Sequence, residues 1–247
     1  MTVVPILIVM RTKMVNMKQL FFLFVILFPF YSYGLTVDKM VIIPSKDEKR
    51  TEIKIKNPDS YPVFFRITLS ELESNNDTVE LKEENFQNWP IYLERNEYIV
   101  GPEEEIIVPI QLLARQIGKK QEKDRIIAID IMPESVIDEG NKGQIMNILI
   151  GYRVWMILSK DGEIIGKPSV ELTKEGYVMK NNSNSVAIYN FDLCQTSFKS
   201  DIQCKGSEFV LSGKEKLLNL SEFNDGQASI SMRDPYFRYQ LEKVIKL

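Results

Sequence analysis

An all-β fold built from two immunoglobulin-like sandwiches is what this sequence predicts, and three observations carry the prediction. Beyond residue 34, short runs of alternating apolar and polar residues recur, each bounded by Pro, Gly, Asn or Asp, and helical periodicity is almost absent. The runs fall into two groups separated by Ser159-Lys160-Asp161-Gly162, which reads as a linker. About seven runs before it and six after, with turns at regular intervals, suit two sandwiches of about 100 residues each.

The first 34 residues are set aside from the fold. Lys18 supplies a positive end, Leu20 to Phe30 an apolar stretch, and Ser32 with Gly34 small residues ahead of a cut before Leu35, which is the anatomy of a secretory signal peptide. At about 14 residues including its aromatic tail, the apolar run is too short for a comfortable membrane span. A retained anchor is the alternative, and Met14 or Met17 are alternative starts. The expected organisation is therefore 1–34 signal peptide, 35–158 first domain and 159–247 second domain.

Within the first domain, Leu35 to Ile43 reads as a strand. Thr51 to Lys56 alternates strictly and stops at Asn57-Pro58. Val63 to Leu72, Trp89 to Leu93 and Tyr98 to Val100 follow, with a polar loop from Glu73 to Thr78 between the first two. The turn Gly101 to Glu105 leads into Ile106 to Leu113, and Ile126 to Met132 comes next. Glu134 to Gln144 is polar and aperiodic, a loop. Ile145 to Leu158 is the most apolar stretch beyond the signal, and it is apolar on both faces, so it needs partners on both sides. The second domain offers Ser169 to Thr173, Tyr177 to Lys180, Val186 to Asp192, Glu208 to Leu211, Ala228 to Met232 and Phe237 to Ile245.

Composition excludes much chemistry. The 247 residues include no histidine, which removes Ser-His-Asp and Cys-His catalysis and the commonest metal ligand. No phosphate-cradling glycine-rich loop is present. Three of the 31 basic residues and none of the 34 acidic ones precede residue 35; the remainder holds 28 basic against 34 acidic residues, a net charge of −6 that argues against nucleic acid. The only cysteines, Cys194 and Cys204, would oxidise to a disulfide in an exported protein and lack the Cys-x-x-Cys spacing of redox work. Glu103-Glu104-Glu105 reads as a solvated turn and Asp124-Arg125 as the pin of a strand start. No cofactor is expected, and no pair of carboxylates stands out for hydrolytic chemistry.

Several segments, taken in order, resemble the periplasmic chaperones of the chaperone–usher pilus pathway. Thr51 to Leu69 (TEIKIKNPDSYPVFFRITL) is similar to that family's strand, proline-bearing turn and next strand. Tyr98 to Leu113 (YIVGPEEEIIVPIQLL), Lys123 to Ser135 (KDRIIAIDIMPES) and Gly143 to Leu158 (GQIMNILIGYRVWMIL) resemble its later turn, its Asp-Arg strand and its long last strand. Asn181 to Leu193 (NNSNSVAIYNFDL) resembles the Asn-rich turn and strand of its second domain. No one motif is specific; their joint order carries the likeness.

The resemblance implies two immunoglobulin-like domains in a boomerang arrangement, pilus or fimbrial subunits as clients, an outer-membrane usher as recipient, and no catalysis. It implies that the long strand completes an unfinished subunit, a form of strand addition in which main-chain bonds give affinity and alternate side chains fill pockets. Met146, Ile148 and Ile150 share one face and are expected to enter the subunit's groove; the alternative is the other face, with Ile145, Leu149 and Trp155. Trp155 is expected in the core in either register. The exposed strand also offers a route to self-association. Two basic residues of the family hold the client's terminal carboxylate. Arg153 falls at the long-strand position; Val41 falls where the first-strand arginine is usual, with Lys39 two residues earlier on the same face, so either Lys39 substitutes or the chain anchors differently. The competing reading is a two-sandwich structural pilus or surface subunit, which would need a neighbour's strand and not offer one.

Overall fold

The computed structural model describes residues 34–73, 77–113, 120–134, 149–174, 176–192, 194, 204–218 and 227–246. The proposed signal peptide lies outside them. The described residues form four sheets, two in each half of the chain. The first comprises β1 (Thr36–Val37), β3 (Arg50–Lys56), β8 (Glu105–Leu112) and β6 (Ile91–Leu93), in the order β1-β3-β8-β6. Facing it is a six-stranded sheet in the order β2-β10-β9-β4-β5: β2 (Val41–Ile42), β10 (Tyr152–Leu158), β9 (Arg125–Glu134), β4 (Val63–Leu72) and β5 (Thr78–Glu80), with β7 (Glu97–Val100) also paired to β4.

Period-two alternation decides what these sheets bury. In β3 only Ile53 and Ile55 are buried, between exposed Glu52, Lys54 and Lys56. They meet Val108, Ile110 and Leu112 of β8, Phe65, Ile67 and Leu69 of β4, and Ile127, Ile129 and Ile131 of β9 in one core, which also takes Val154, Met156 and Leu158 of β10. Phe65 stacks on Tyr98 at 5.4 Å between ring centres. The stretch read as a first strand, Leu35 to Ile43, is in fact two short pieces. β1 pairs antiparallel with β3, and β2 crosses to pair parallel with β10, so this segment belongs to both sheets of the sandwich.

The second half repeats the arrangement with β11 (Pro168–Thr173), β12 (Gly176–Asn181) and β15 (Glu215–Leu218) against a four-stranded sheet ordered β14-β13-β16-β17, formed by β13 (Ala187–Asp192), β14 (Lys205–Val210), β16 (Gln227–Arg233) and β17 (Gln240–Lys246). Its separate core holds Val170, Met179, Tyr189, Val210 and Ile230. The Tyr189 hydroxyl donates to the Lys180 carbonyl at 2.6 Å, and burial pushes its pKa well up. Cys194 and Cys204 form the expected disulfide, with Cα atoms 4.9 Å apart beside the β13–β14 pair.

A buried asparagine closes a turn in each half. Asn57 donates to the Tyr61 and Gly101 carbonyls at 2.8 and 3.0 Å and accepts the Asp59 N–H at 3.0 Å. Asn181 donates to the Ser185 and Val210 carbonyls at 2.7 and 2.8 Å and accepts from Ser183. Main-chain groups with no ladder partner are satisfied by one amide side chain each time. The acidic turn is structural too: the Glu104 carboxylate accepts the Gly101 N–H at 2.9 Å.

Polar side chains join the halves. Asp124 accepts from Lys160 N at 2.7 Å, Ser185 Oγ at 3.1 Å and Val186 N. Ser159 and Ser185, both buried, bond to each other at 3.1 Å. From the β16–β17 loop, Arg238 donates to Ser159 Oγ at 3.0 Å and to the Lys160 and Gly162 carbonyls at 2.9 Å, while its Nε meets the fully buried Asp234 at 2.7 Å. Asp124-Arg125 thus does more than start a strand: Arg125 pairs with Glu71 at 2.5 Å, and its neighbour secures the junction.

Candidate functional site

The long apolar segment is the part of the sequence that an ordinary sandwich does not explain, and the structure shows where its own sheet lets go of it. Pairing between β10 and β9 runs from Leu158↔Arg125 to Tyr152↔Ile131 and goes no further among the described residues. One step beyond, Gly151 comes level with Met132, and a Cβ there would collide with the Met132 side chain and sit 3.1 Å from the Ile131 carbonyl oxygen. Two steps beyond, Ile150 comes level with Pro133, which has no N–H to donate. The proline is itself in register with Phe65 of β4, so β9 is extended there while β10 has left it. Leu149 and Ile150 are 47% and 53% exposed. Of the strand read from Ile145 to Leu158, Tyr152–Leu158 is sheet and 149–151 is not; residues 145–148, Met146 and Ile148 among them, lie outside the described residues.

On its other edge, β10 has little cover. β2 pairs with it only at Trp155↔Val41 and Met156↔Ile42, reinforced by Trp155 N–H to the Met40 carbonyl at 2.9 Å. Among the described residues no strand lies along the edge of Tyr152 to Val154 on that side.

The faces of β10 are unambiguous. Val154, Met156 and Leu158 point into the core. Arg153, Trp155 and Ile157 point the other way, which corrects the expectation that Trp155 is core: it is only partly buried, on the outer face. Level with it across the sheet stand Ala128 and Ser70, whose small side chains leave room for an indole on that face. By the same period of two, Ile150 has the parity of the core-facing set.

Arg153 stands directly opposite Asp130. Its Nε and Nη2 donate to the two carboxylate oxygens at 2.6 and 2.8 Å, and its guanidinium carbon lies 5.5 Å from the centre of the Trp155 ring. Hydrogen bonding to Asp130 pushes the guanidinium's high pKa higher still, against a smaller opposing effect of burial. Lys39 lies two residues before Val41, outside the Val41–Ile42 pairing with β10, and next to Asp38, whose N–H still bonds the Lys54 carbonyl of β3 at 3.1 Å. It pairs with Asp38 at 3.4 Å, and Asp38 is held by Lys54 N–H at 2.9 Å. Each of the two predicted cations thus has a carboxylate of its own.

Asp130 and Pro133 were not singled out as site residues from the sequence. A signal was available: Asp130 is the only charge in the run Ile126 to Met132, and Arg153 the only one in Ile145 to Leu158. Lone opposite charges in two otherwise apolar neighbouring strands are natural cross-strand partners.

A two-sandwich protein whose last strand of the first half parts from its sheet is the class that fold and site define. Residues 37–159 match the family model of the CS5 fimbrial protein N-terminal domain. Solved structures with the same fold include the class 5 fimbriae chaperone CfaA (9% identity, TM-score 0.52, covering 86% of this chain and 98% of that one). The periplasmic chaperone SfaE is similar over the same shares at 10% identity and TM-score 0.51. So is a chain of the Salmonella enterica SafA pilin complex with the SafB chaperone, at 10% identity and TM-score 0.54 over 88% of this chain and 99% of that one. No curated protein matches the sequence. The chain has the fold of the fimbrial chaperones across both of its halves.

Proposed function

We propose that this protein is an exported chaperone for fimbrial subunits, which works in the periplasm, lends the segment around Met146, Ile148 and Ile150 to an unfinished subunit as a strand, and passes that subunit to an outer-membrane usher. The observation that carries the reading is that pairing with β9 stops at Tyr152 while the apolar sequence continues upstream of it. Ile150, exposed at Pro133, has the parity of Val154 and Met156, so a client accepting this segment would take into its own core the continuation of the chaperone's core-facing row. Main-chain groups upstream of Tyr152 would complete the client's ladder, and alternate side chains would fill its groove.

In this reading Arg153, with Lys39 as second cation, receives the client's terminal carboxylate. An arginine offers five N–H groups, of which Asp130 takes two, so the outer edge of the guanidinium remains for a second carboxylate. The similar structures include three complexes of a chaperone with a pilin, a tip adhesin or a tip adhesion subunit, which favours this reading over a structural subunit.

Co-purification from the periplasm tests it, comparing the intact chain with Ile148→Asp, Ile150→Asp and Arg153→Ala. A subunit-sized partner that comes down with the intact chain and is lost with the aspartate variants is the expected result. Recovery unaffected by all three changes, in folded variants, would move the structural-subunit reading ahead.

A further inference from the structure

We propose that Asp130 is a built-in competitor for Arg153, which keeps the carboxylate anchor weak and so lets a client leave. The inference rests on the reading above, that Arg153 receives the client's terminal carboxylate. A guanidinium has two edges that bind a carboxylate with paired hydrogen bonds, one formed by Nε and one Nη, the other by the two Nη groups. Asp130 occupies the first.

The arrangement is not an accident of two mobile surface side chains. Arg153 and Asp130 are opposite each other inside the paired stretch that runs from residue 152 to 158, so the backbones cannot part without breaking the ladder. The Asp130 side chain is 18% exposed against 45% for Arg153, so the acid is held inside and the base outside. An arriving carboxylate meets an arginine already neutralised, with a like charge behind it. Lys39 repeats the pattern, since its own partner Asp38 is fixed by the Lys54 N–H. A site built for the tightest retention would leave these cations unmatched; here each is balanced before the client arrives.

The test is a double-mutant cycle on the subunit recovered by co-purification, with association and dissociation followed on a surface. Asp130→Asn keeps the side-chain shape and removes the charge. It is expected to bind that subunit roughly tenfold tighter, through slower dissociation, and to gain nothing in an Arg153→Ala background. Asp130→Thr, suited to a strand, serves if the asparagine variant folds poorly. Unchanged or weaker binding by Asp130→Asn, which would mark Asp130 as orienting Arg153, overturns the proposal. So does an equal gain with Arg153 absent. Failure of the underlying reading looks different: Arg153→Ala alone, or a subunit extended by two residues at its C terminus, would then bind as tightly as the native pair.

Discussion

Replacing Asp124 by alanine is expected to weaken the protein by about 2–4 kcal/mol. Its carboxylate accepts two main-chain N–H groups, from Lys160 in the linker and from Val186 just before β13, and the Ser185 and Ser159 hydroxyls. The Ser159 and Ser185 hydroxyls retain each other at 3.1 Å, so the loss falls on the two N–H groups. Each part-buried donor left without an acceptor costs about 1–2 kcal/mol, the lower part of the range for a fully buried group, and a chain of this size loses about 2–4 °C of melting temperature per kcal/mol. Calorimetry should show the transition falling by about 4–16 °C and broadening as the halves cease to unfold together. Asp124→Asn keeps one acceptor but turns an amide N–H toward another donor, so it should fall between the two. A melting curve for the alanine variant that superimposes on the native one would refute the reasoning, because water would then satisfy the same donors as well as the carboxylate does.

Three further outcomes follow from other elements. Reducing the Cys194–Cys204 bond, or replacing both residues by serine, should cost about 3 kcal/mol by the loop-closure argument, read as the difference between urea unfolding curves with and without reductant; coincident curves would remove the bond's stabilising role. Pro133→Val restores a donor opposite Ile150, so hydrogen exchange at residues 149–151 should slow and capture of subunits should fall; unchanged exchange would show that the proline is not what ends the pairing. Burial raises the Tyr239 pKa to about 12, so the unfolded chain loses this proton first, near 10, and stability contributed by the neutral phenol declines as pH rises between those values. Absorbance titration of tyrosinate should show groups lagging the exposed tyrosines while the protein stays folded, and Tyr239→Phe should reduce the lagging amplitude by one tyrosine, leaving that of Tyr189.

Much of the fold was legible because alternation maps directly onto burial. Val63–Leu72 was readable end to end, since its inward Phe65, Ile67 and Leu69 recur at every second position. Elements without alternation were missed. Glu215–Leu218 carries two charges followed by two leucines and Thr78–Glu80 is three residues long, yet both pair with neighbours. Leu35 to Ile43 has the composition of one strand, and its crossing between sheets depends on partners far along the chain. The site was legible in outline: the over-apolar segment and Arg153 marked it. What composition conceals is which charges face each other. Trp155 was misplaced because bulk suggests core, whereas its parity with Arg153 and the small residues beside it put it outside.

The stop at Pro133 has a consequence for timing. A missing hydrogen-bond donor is a covalent fact, unaltered by temperature, salt or a bound effector, so the ladder bond that Pro133 withholds opposite Ile150 is withheld under all conditions. Under the function proposed above, readiness to accept another strand is then a standing property that requires no trigger and no fuel. Under the function proposed above, the moment of handover must be decided elsewhere, by how firmly a guest is gripped and by what competes for it.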